Sequence, residues 1–342
     1  MVSIIIVNYN GKEFLDRCIN SIIHNNYQNY EIIVADNHST DNSVADIQKK
    51  FAGLKNKLKF VELDQNYGPA RARNEAAKLA KGKYLGFLDN DTKVDKNWLT
   101  AAINLFKSDN KIGCLQCKLM LMTEPNRFDY AGEFLGQNGF LVQRAGYREL
   151  DNGQYDQTAV ILAAKSAGMF IRKDVFEKIG GFDDDYFIYV EETDLGWRSW
   201  LLGYKTMFCP KSVVYHEFGT SAKILTKKKH NFNVRFHGTK NYLMTLIKNL
   251  NRRNLVLIFP RHVIIWIFFG IYLFVTGNFR VSMSVFKGIL WIITNIKSII
   301  RKRKAVQGSR ILDDDVLFKK NGLLQQRSFL YKIKQYFCYT EA

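Results

Sequence analysis

The sequence predicts an α/β fold, a mainly parallel sheet flanked by helices, followed by a basic and apolar helical tail. Three observations carry that expectation. Short apolar runs alternate with amphipathic stretches through the first 120 residues, polar and acidic residues gather just after those runs, and the excess positive charge is confined to the last third of the chain. With 342 residues the chain exceeds what one hydrophobic core usually organises, so a main domain with an appendage is expected, divided as residues 1–220 and 221–342.

The apolar runs lie at 2–7, 31–35, 58–63, 83–88 and 112–120, and the amphipathic stretches at 12–24, 41–51, 69–80 and 96–107. Continuous apolar strands separated by helices read as parallel strands covered on both faces. In such sheets ligands bind beyond the carboxyl ends of the strands. The residues there are Asn8-Tyr9-Asn10-Gly11, Asp36-Asn37-His38-Ser39-Thr40-Asp41, Asn66-Tyr67-Gly68-Pro69 and Asp89-Asn90-Asp91. Turn and cap chemistry accounts for part of this set, since Asn, Asp, Ser and Gly are ordinary at such places. It does not account for Asp89-x-Asp91, where the apolar strand YLGFLDND ends on two carboxylates that alternation places on one side. Paired carboxylates are hard oxygen ligands for Mg2+ or Mn2+, ions that bind through one or two carboxylates together with substrate phosphates.

Further along, SAGMFIRKDVFEKIGGFDDDYF reads as a strand, a helix ended by Gly180-Gly181, and an acidic loop. Glu191-Glu192-Thr193-Asp194 then opens an amphipathic helix, where acidic side chains also suit the helix dipole. Trp197, Trp200 and Tyr204 recur at helical spacing and read as core. His216 ends the strand-like run SVVYHEFG, and an imidazole there either completes a divalent site or satisfies a local hydrogen bond. Of the five cysteines, Cys114 and Cys117 have metal or redox spacing, but no second pair completes a site, and both read as thiols on a strand. The odd count points to a reducing compartment, and the start MVSIIIVNYN, with no basic leader before its first strand, predicts no export signal.

Taken in order, VSIIIVNYNG at 2–11, IIVADNHSTDNS at 32–43, NYGPARARN at 66–74, YLGFLDND at 84–91, GGFDDDYF at 180–187, YVEETDLGWR at 189–198 and His216 resemble the family 2 glycosyltransferases, in particular a rhamnosyltransferase-like branch. The resemblance covers about the first 220 residues. It implies the GT-A fold and an inverting, metal-dependent transfer of a sugar from a nucleoside-diphosphate donor of dTDP, UDP or GDP type to a hydroxyl of a glycan or lipid-linked acceptor. By resemblance, Val7, Asn8, Tyr9 and Asp36 form the nucleotide wall, with Asp36 at the base or ribose, while Gly68 and Arg73 lie toward the diphosphate. The helix start at Gly68-Pro69 independently suits an anion. Asp91 resembles the more direct metal ligand, Asp89 with Asn90 beside it the residue at the ribose and metal shell, and His216 a group at the metal or diphosphate.

An inverting transfer needs a carboxylate that takes the acceptor hydroxyl's proton as that hydroxyl attacks the anomeric carbon from the face opposite the leaving diphosphate. The resemblance places this base in the acidic cluster. Relatives usually carry Asp at its second position, where this chain has Glu192; Glu191 and Asp194 stand as alternates.

Residues 1–220 hold 27 Lys and Arg against 28 Asp and Glu, whereas residues 221–342 hold 23 against 4. These cations are interleaved with Ile, Phe, Leu and Trp, which fits an anionic lipid surface better than nucleic acid. The stretch 255–276, LVLIFPRHVIIWIFFGIYLFVT, is interrupted by Pro260, Arg261 and His262, leaving about 14 apolar residues at 263–276, short of the ~20 that span hydrocarbon. A second stretch at 281–300 carries Lys287 and Lys297 and precedes a basic run at 301–304. In-plane or re-entrant helices are therefore expected at the cytoplasmic face of a membrane, peripheral or monotopic, with the basic runs 227–229 and 301–304 toward lipid. A sugar-nucleotide nucleotidyltransferase would want a Gly-rich cationic loop after the first strand, but residues 8–12 hold one Gly. A dinucleotide dehydrogenase would want G-x-G-x-x-G there. A non-enzymatic basic module leaves Asp89, Asp91 and the acidic cluster without a role.

Overall fold

The computed structural model describes residues 1–54, 56–217 and 227–325, with 227–230 and 325 described by backbone alone. The side chains of 227–229, Cys338 and the expected boundary at 220 lie outside the described residues. The first half follows the expected alternation: β1 (Val2–Asn8), α1 (Leu15–Ile23), β2 (Tyr30–Asp36), α2 (Ser43–Lys50), β3 (Leu58–Glu62), α3 (Pro69–Leu79) and β4 (Tyr84–Asp89). These strands pair in parallel in the order β3-β2-β1-β4. Both faces are covered, which is why the runs are continuously apolar. Ile4, Ile6, Ile32 and Val34 pack toward α1, while Ile5, Ile33 and Ala35 pack with the alanines of α3. The register sets Asn8 opposite Asp36 and Val7 opposite Asp89, bringing the strand ends to one edge.

The chain continues through β5 (Thr92–Val94), α4 (Trp98–Ser108), β6 (Ile112–Leu121), β7 (Phe128–Tyr130), β8 (Glu133–Gly136), β9 (Leu141–Gln143), β10 (Ala159–Ile161), β11 (Met169–Arg172), α5 (Lys173–Lys178), α6 (Glu191–Leu201) and β12 (Lys205–His216). The sheet extends as β10-β12-β6-β11-β4, and β11 runs antiparallel to both β4 and β6, so the sheet is mixed. Cys114 and Cys117 lie in the clusters on opposite faces of β6, and burial pushes both thiols up to about 12. Trp197 and Trp200 are buried core residues, as their spacing predicts.

The last third forms α7 (Lys227–Asn249), α8 (Arg252–Val275), α9 (Phe279–Thr294), α10 (Ile296–Gly308) and the short strand β13 (Leu324–Gln325), which pairs with β8 beside β9. The polar triplet that interrupts the apolar stretch lies inside one helix, since α8 runs through Pro260. The polar triplet is split between surfaces. Arg261 is exposed, whereas His262 is buried, its Nδ1 on the Asn138 carbonyl at 3.0 Å and its Nε2 accepting from the Trp266 indole at 2.9 Å. Among the described residues α8 is the one helix long and apolar enough to cross a membrane, with mean hydropathy 1.9; α9 and α10 qualify only together, bent by 69°. Val256, Phe268, Phe274, Met283, Leu290 and Ile293 stand exposed on α8 and α9, an apolar surface of the kind that marks an interaction site.

These helices are tied to the sheet domain by buried charge. Lys248 of α7 lies 2.6 Å from Asp183 and 2.9 Å from Asp194, Arg198 donates to Asp194 at 2.8 Å, and Lys302 of α10 reaches Asp183 and Asp185. Burial alone would raise the Asp183 carboxyl, but Lys248 and Lys302 outweigh it and hold the group below its ordinary 3.8. Its stabilising effect is thus present above about pH 4 and is lost as pH falls through the lower folded value. Lys248→Met takes one cation from two buried carboxylates that keep Lys302 and Arg198 as partners, which costs about 1–3 kcal/mol. The variant is expected to melt well below the parent at neutral pH and to respond less to acid. Coincident melting curves across that range would contradict the role given to this network.

Candidate active site

The sheet edge gathers carboxylates and an imidazole from distant parts of the chain. β4 ends at Asp89, the chain turns, and β5 begins at Thr92, which pairs antiparallel with His216 at the end of β12. That ladder brings His216 Nε2 to 3.4 Å from Asp91 Oδ1. Asp129, from β7, holds the other ring nitrogen: His216 Nδ1 lies 2.9 Å from its Oδ2. Asp89, Asp91 and His216 each offer a ligand atom, and the three atoms lie within 4.8 Å of one another. Two carboxylate oxygens and an imidazole nitrogen are a donor set that fits Mn2+ or Mg2+ completed by phosphate oxygens, and Asp129 stands where a partner orienting a ligating His belongs.

The electrostatics of this corner are those of crowded acids. Burial raises the Asp89 carboxyl, Arg73 pulls it down and Asp91 adds like charge. Burial works against protonation of His216, yet Asp91 and Asp129 outweigh it and hold the imidazole well above its ordinary value.

Arg73 is buried, and does not lie on a solvated face of α3. Its guanidinium reaches Asp89 on one side and Glu191 on the other, each at 3.0 Å, joining the corner of Asp89, Asp91 and His216 to the first turn of α6. The three acidic residues there have separate fates. Burial and the neighbouring Glu192 push Glu191 up to about 8 against the pull of Arg73. Asp194 is fully buried between Arg198 and Lys248, which outweigh burial and lower it. Glu192 is half-buried, its Oε1 accepting from the Ser166 hydroxyl at 2.6 Å and the Ser166 amide at 3.2 Å.

At the ends of β1 and β2 a second network shapes a polar cleft. Asn8 accepts from Asn90 at 2.8 Å and donates to Asp36 and to Ser43, each at 2.8 Å. Asp36 also accepts from the Ser39 hydroxyl at 2.6 Å and amide at 2.8 Å. The adjoining cleft, about 180 Å³, is lined by Asp36, Ser39, Ser43, Gln48 and Glu62, with half-buried Val7 and Tyr9 on the same strand end. Gly68 starts α3 at φ 81°, and a Cβ there would stand 2.5 Å from the Phe187 carbonyl, so both conformation and crowding require glycine.

The structure thus brings Asp89, Asp91, His216, Arg73, Glu191 and Glu192 into one connected site, and Asn8, Asp36 and Asn90 into the neighbouring network, while Asp194 faces the tail helices. Sequence reasoning missed Asp129 and Ser166. Asp129 lies in a short extended segment between two aromatics, and Ser166 precedes a strand; a lone acid or hydroxyl in such a place gives a weak signal.

A family model described as glycosyl transferase family 2 matches residues 3–180. A putative teichuronic acid biosynthesis glycosyltransferase, TuaG of Bacillus subtilis, is 33% identical over 99 residues, 29% of this chain and 39% of that protein. Glycosyltransferase AglE of Haloferax volcanii is 26% identical over 235 residues, 66% of this chain and 70% of that protein. Among solved structures, the mannosyltransferase PcManGT of Pyrobaculum calidifontis, in complex with GDP-Man and Mn2+, shares the fold at TM-score 0.54 and 14% identity, covering 90% of this chain and 85% of that one.

Proposed function

The chain belongs to glycosyl transferase family 2, and on that premise we propose that it is an inverting, metal-dependent transferase that moves a sugar from a nucleoside diphosphate to the hydroxyl of a lipid-linked glycan. It is a glycosyltransferase of GT-A fold that uses a nucleotide sugar; metal, acceptor and location are the proposed parts. The observation that supports the reading best is the cluster of Asp89, Asp91 and His216 within 4.8 Å, bridged by Arg73 to the turn that carries Glu192.

Asp91, Asp89 and His216 would hold the ion, which when bound neutralises the diphosphate leaving group. Asp36 and the cleft beside it receive the nucleoside, and Gly68, at the positive end of the α3 dipole, lies toward its phosphates. Glu192 takes the proton of the acceptor hydroxyl, its carboxylate aimed by Ser166. The exposed apolar surface of α8 and α9, with Arg261, Arg280 and Lys287 exposed beside it, supports a place on an anionic membrane at the cytoplasmic face, where a lipid-linked acceptor is presented. Assembly of a cell-surface polysaccharide or glycolipid is the setting these features fit. The wording of the Bacillus relative's name agrees with it.

Calorimetric titration with dTDP, UDP and GDP, with and without Mn2+, tests the reading. One diphosphate is expected to bind in a metal-dependent manner and so to identify the donor's nucleotide. Absence of binding by all three, alongside salt-sensitive binding to anionic vesicles, would leave the tail as the functional part and overturn the proposal.

A further inference from the structure

The segment that launches α6 follows an improbable path. Phe187, Tyr189 and Val190 have φ of 63°, 70° and 69°, and a β-branched residue in the left-handed region is an outlier that persists only where its surroundings over-determine it. One side chain from the tail supplies most of that constraint. Asn241 of α7 is fully buried, and its Nδ2 lies 3.0, 2.8 and 2.6 Å from the carbonyls of Tyr186, Ile188 and Tyr189. An amide nitrogen carries two protons, so both are engaged and one is shared.

The same segment has fixed partners on its far side. The Phe187 carbonyl accepts from the Ala70 amide of α3 at 3.5 Å, and the Val190 carbonyl accepts from the Asp194 amide at 3.0 Å. Thr245, one turn beyond Asn241, meets the Tyr186 hydroxyl at 2.7 Å. A continuous series of contacts therefore runs from α7 through 186–190 to the turn bearing Glu191 and Glu192 and to the helix bearing Arg73.

We propose that Asn241 is a positioning residue for catalysis: by holding residues 186–190 in their left-handed path it aims Glu192, and so makes the direction of the base depend on the tail helices. The proposal rests on the reading of Glu192 as the base. Asn241→Leu tests it, since an apolar side chain of nearly the same shape has no proton to give the three carbonyls; Asn241→Ala is the second variant.

Amide hydrogen exchange, UDP–Mn2+ titration and donor turnover are measured together. Exchange over 187–194 is expected to rise at least tenfold with β1 and β4 unchanged, UDP binding to stay within twofold, and kcat to fall roughly 100-fold with little change in donor KM. Added to Glu192→Gln, the substitution is expected to cost nothing further, because the group it aims is already gone. Unchanged exchange at 187–194, faster exchange with full kcat, or a multiplied loss in the double variant would each overturn the proposal. So would exchange rising equally in β1 and β4, which is global loosening. Should the parent neither bind UDP nor turn over any donor, the transferase reading falls by itself, while the exchange profile still decides what Asn241 holds.

Discussion

Glu192→Gln is expected to abolish sugar transfer, by roughly 10²–10⁴-fold in kcat, while metal-dependent nucleotide binding is retained. The substitution keeps the shape of the side chain and leaves an oxygen to accept from Ser166, so what it removes is the capacity to take a proton. The alternates would behave differently. Glu191→Gln changes the buried contact that holds Arg73, and Asp194→Asn strips Lys248 and Arg198 of their shared partner, so both should register in stability or donor binding. Donor turnover and calorimetry on Glu192→Gln are the deciding pair. Full turnover in that variant would move the base to one of its neighbours.

The second large effect is expected at the metal corner. Asp91→Ala removes a carboxylate that faces His216 at 3.4 Å and should collapse nucleotide affinity in Mn2+ to the value without it. Loss of a mere orienting partner of a metal ligand costs 10–100-fold, so a ligand itself should lie at or beyond the upper end, about 100-fold. Unchanged affinity with and without Mn2+ in the variant would refute the metal assignment.

The strands and helices of the donor half were legible because each has one simple period: continuous apolar runs for β1, β2 and β4, and the alanine-rich face of α3. The acids at the strand ends were legible too, because apolar strands leave few reasons to end on Asp89-x-Asp91. What was not legible came from pairing. Nothing local to His216 announces that β12 will lie beside β5 and thereby meet Asp91, and nothing local to Asp129 announces the imidazole it holds. Nothing local to Arg73 announces that it will be buried between two carboxylates, Asp89 of β4 and Glu191 of α6. The place of His262 was hidden for a like reason: a polar residue in an apolar stretch gives no local sign that its ring will be held between the Asn138 carbonyl and the Trp266 indole.

The strand order has a consequence for how the molecule is made. The parallel unit β3-β2-β1-β4 is complete once residue 89 has been synthesised, but β11 must be laid between β4 and β6, and β12 beyond β6, before the sheet closes. On a ribosome the cleft beside Asp36, the proposed nucleotide site, can therefore take shape early, as domains that fold from their N-terminal side do. The groups that would commit a donor to reaction arrive last: Glu192, then His216, then the tail residue that steadies the base. A nascent chain halted between residue 89 and Glu192 carries the cleft beside Asp36 before it carries the proposed base.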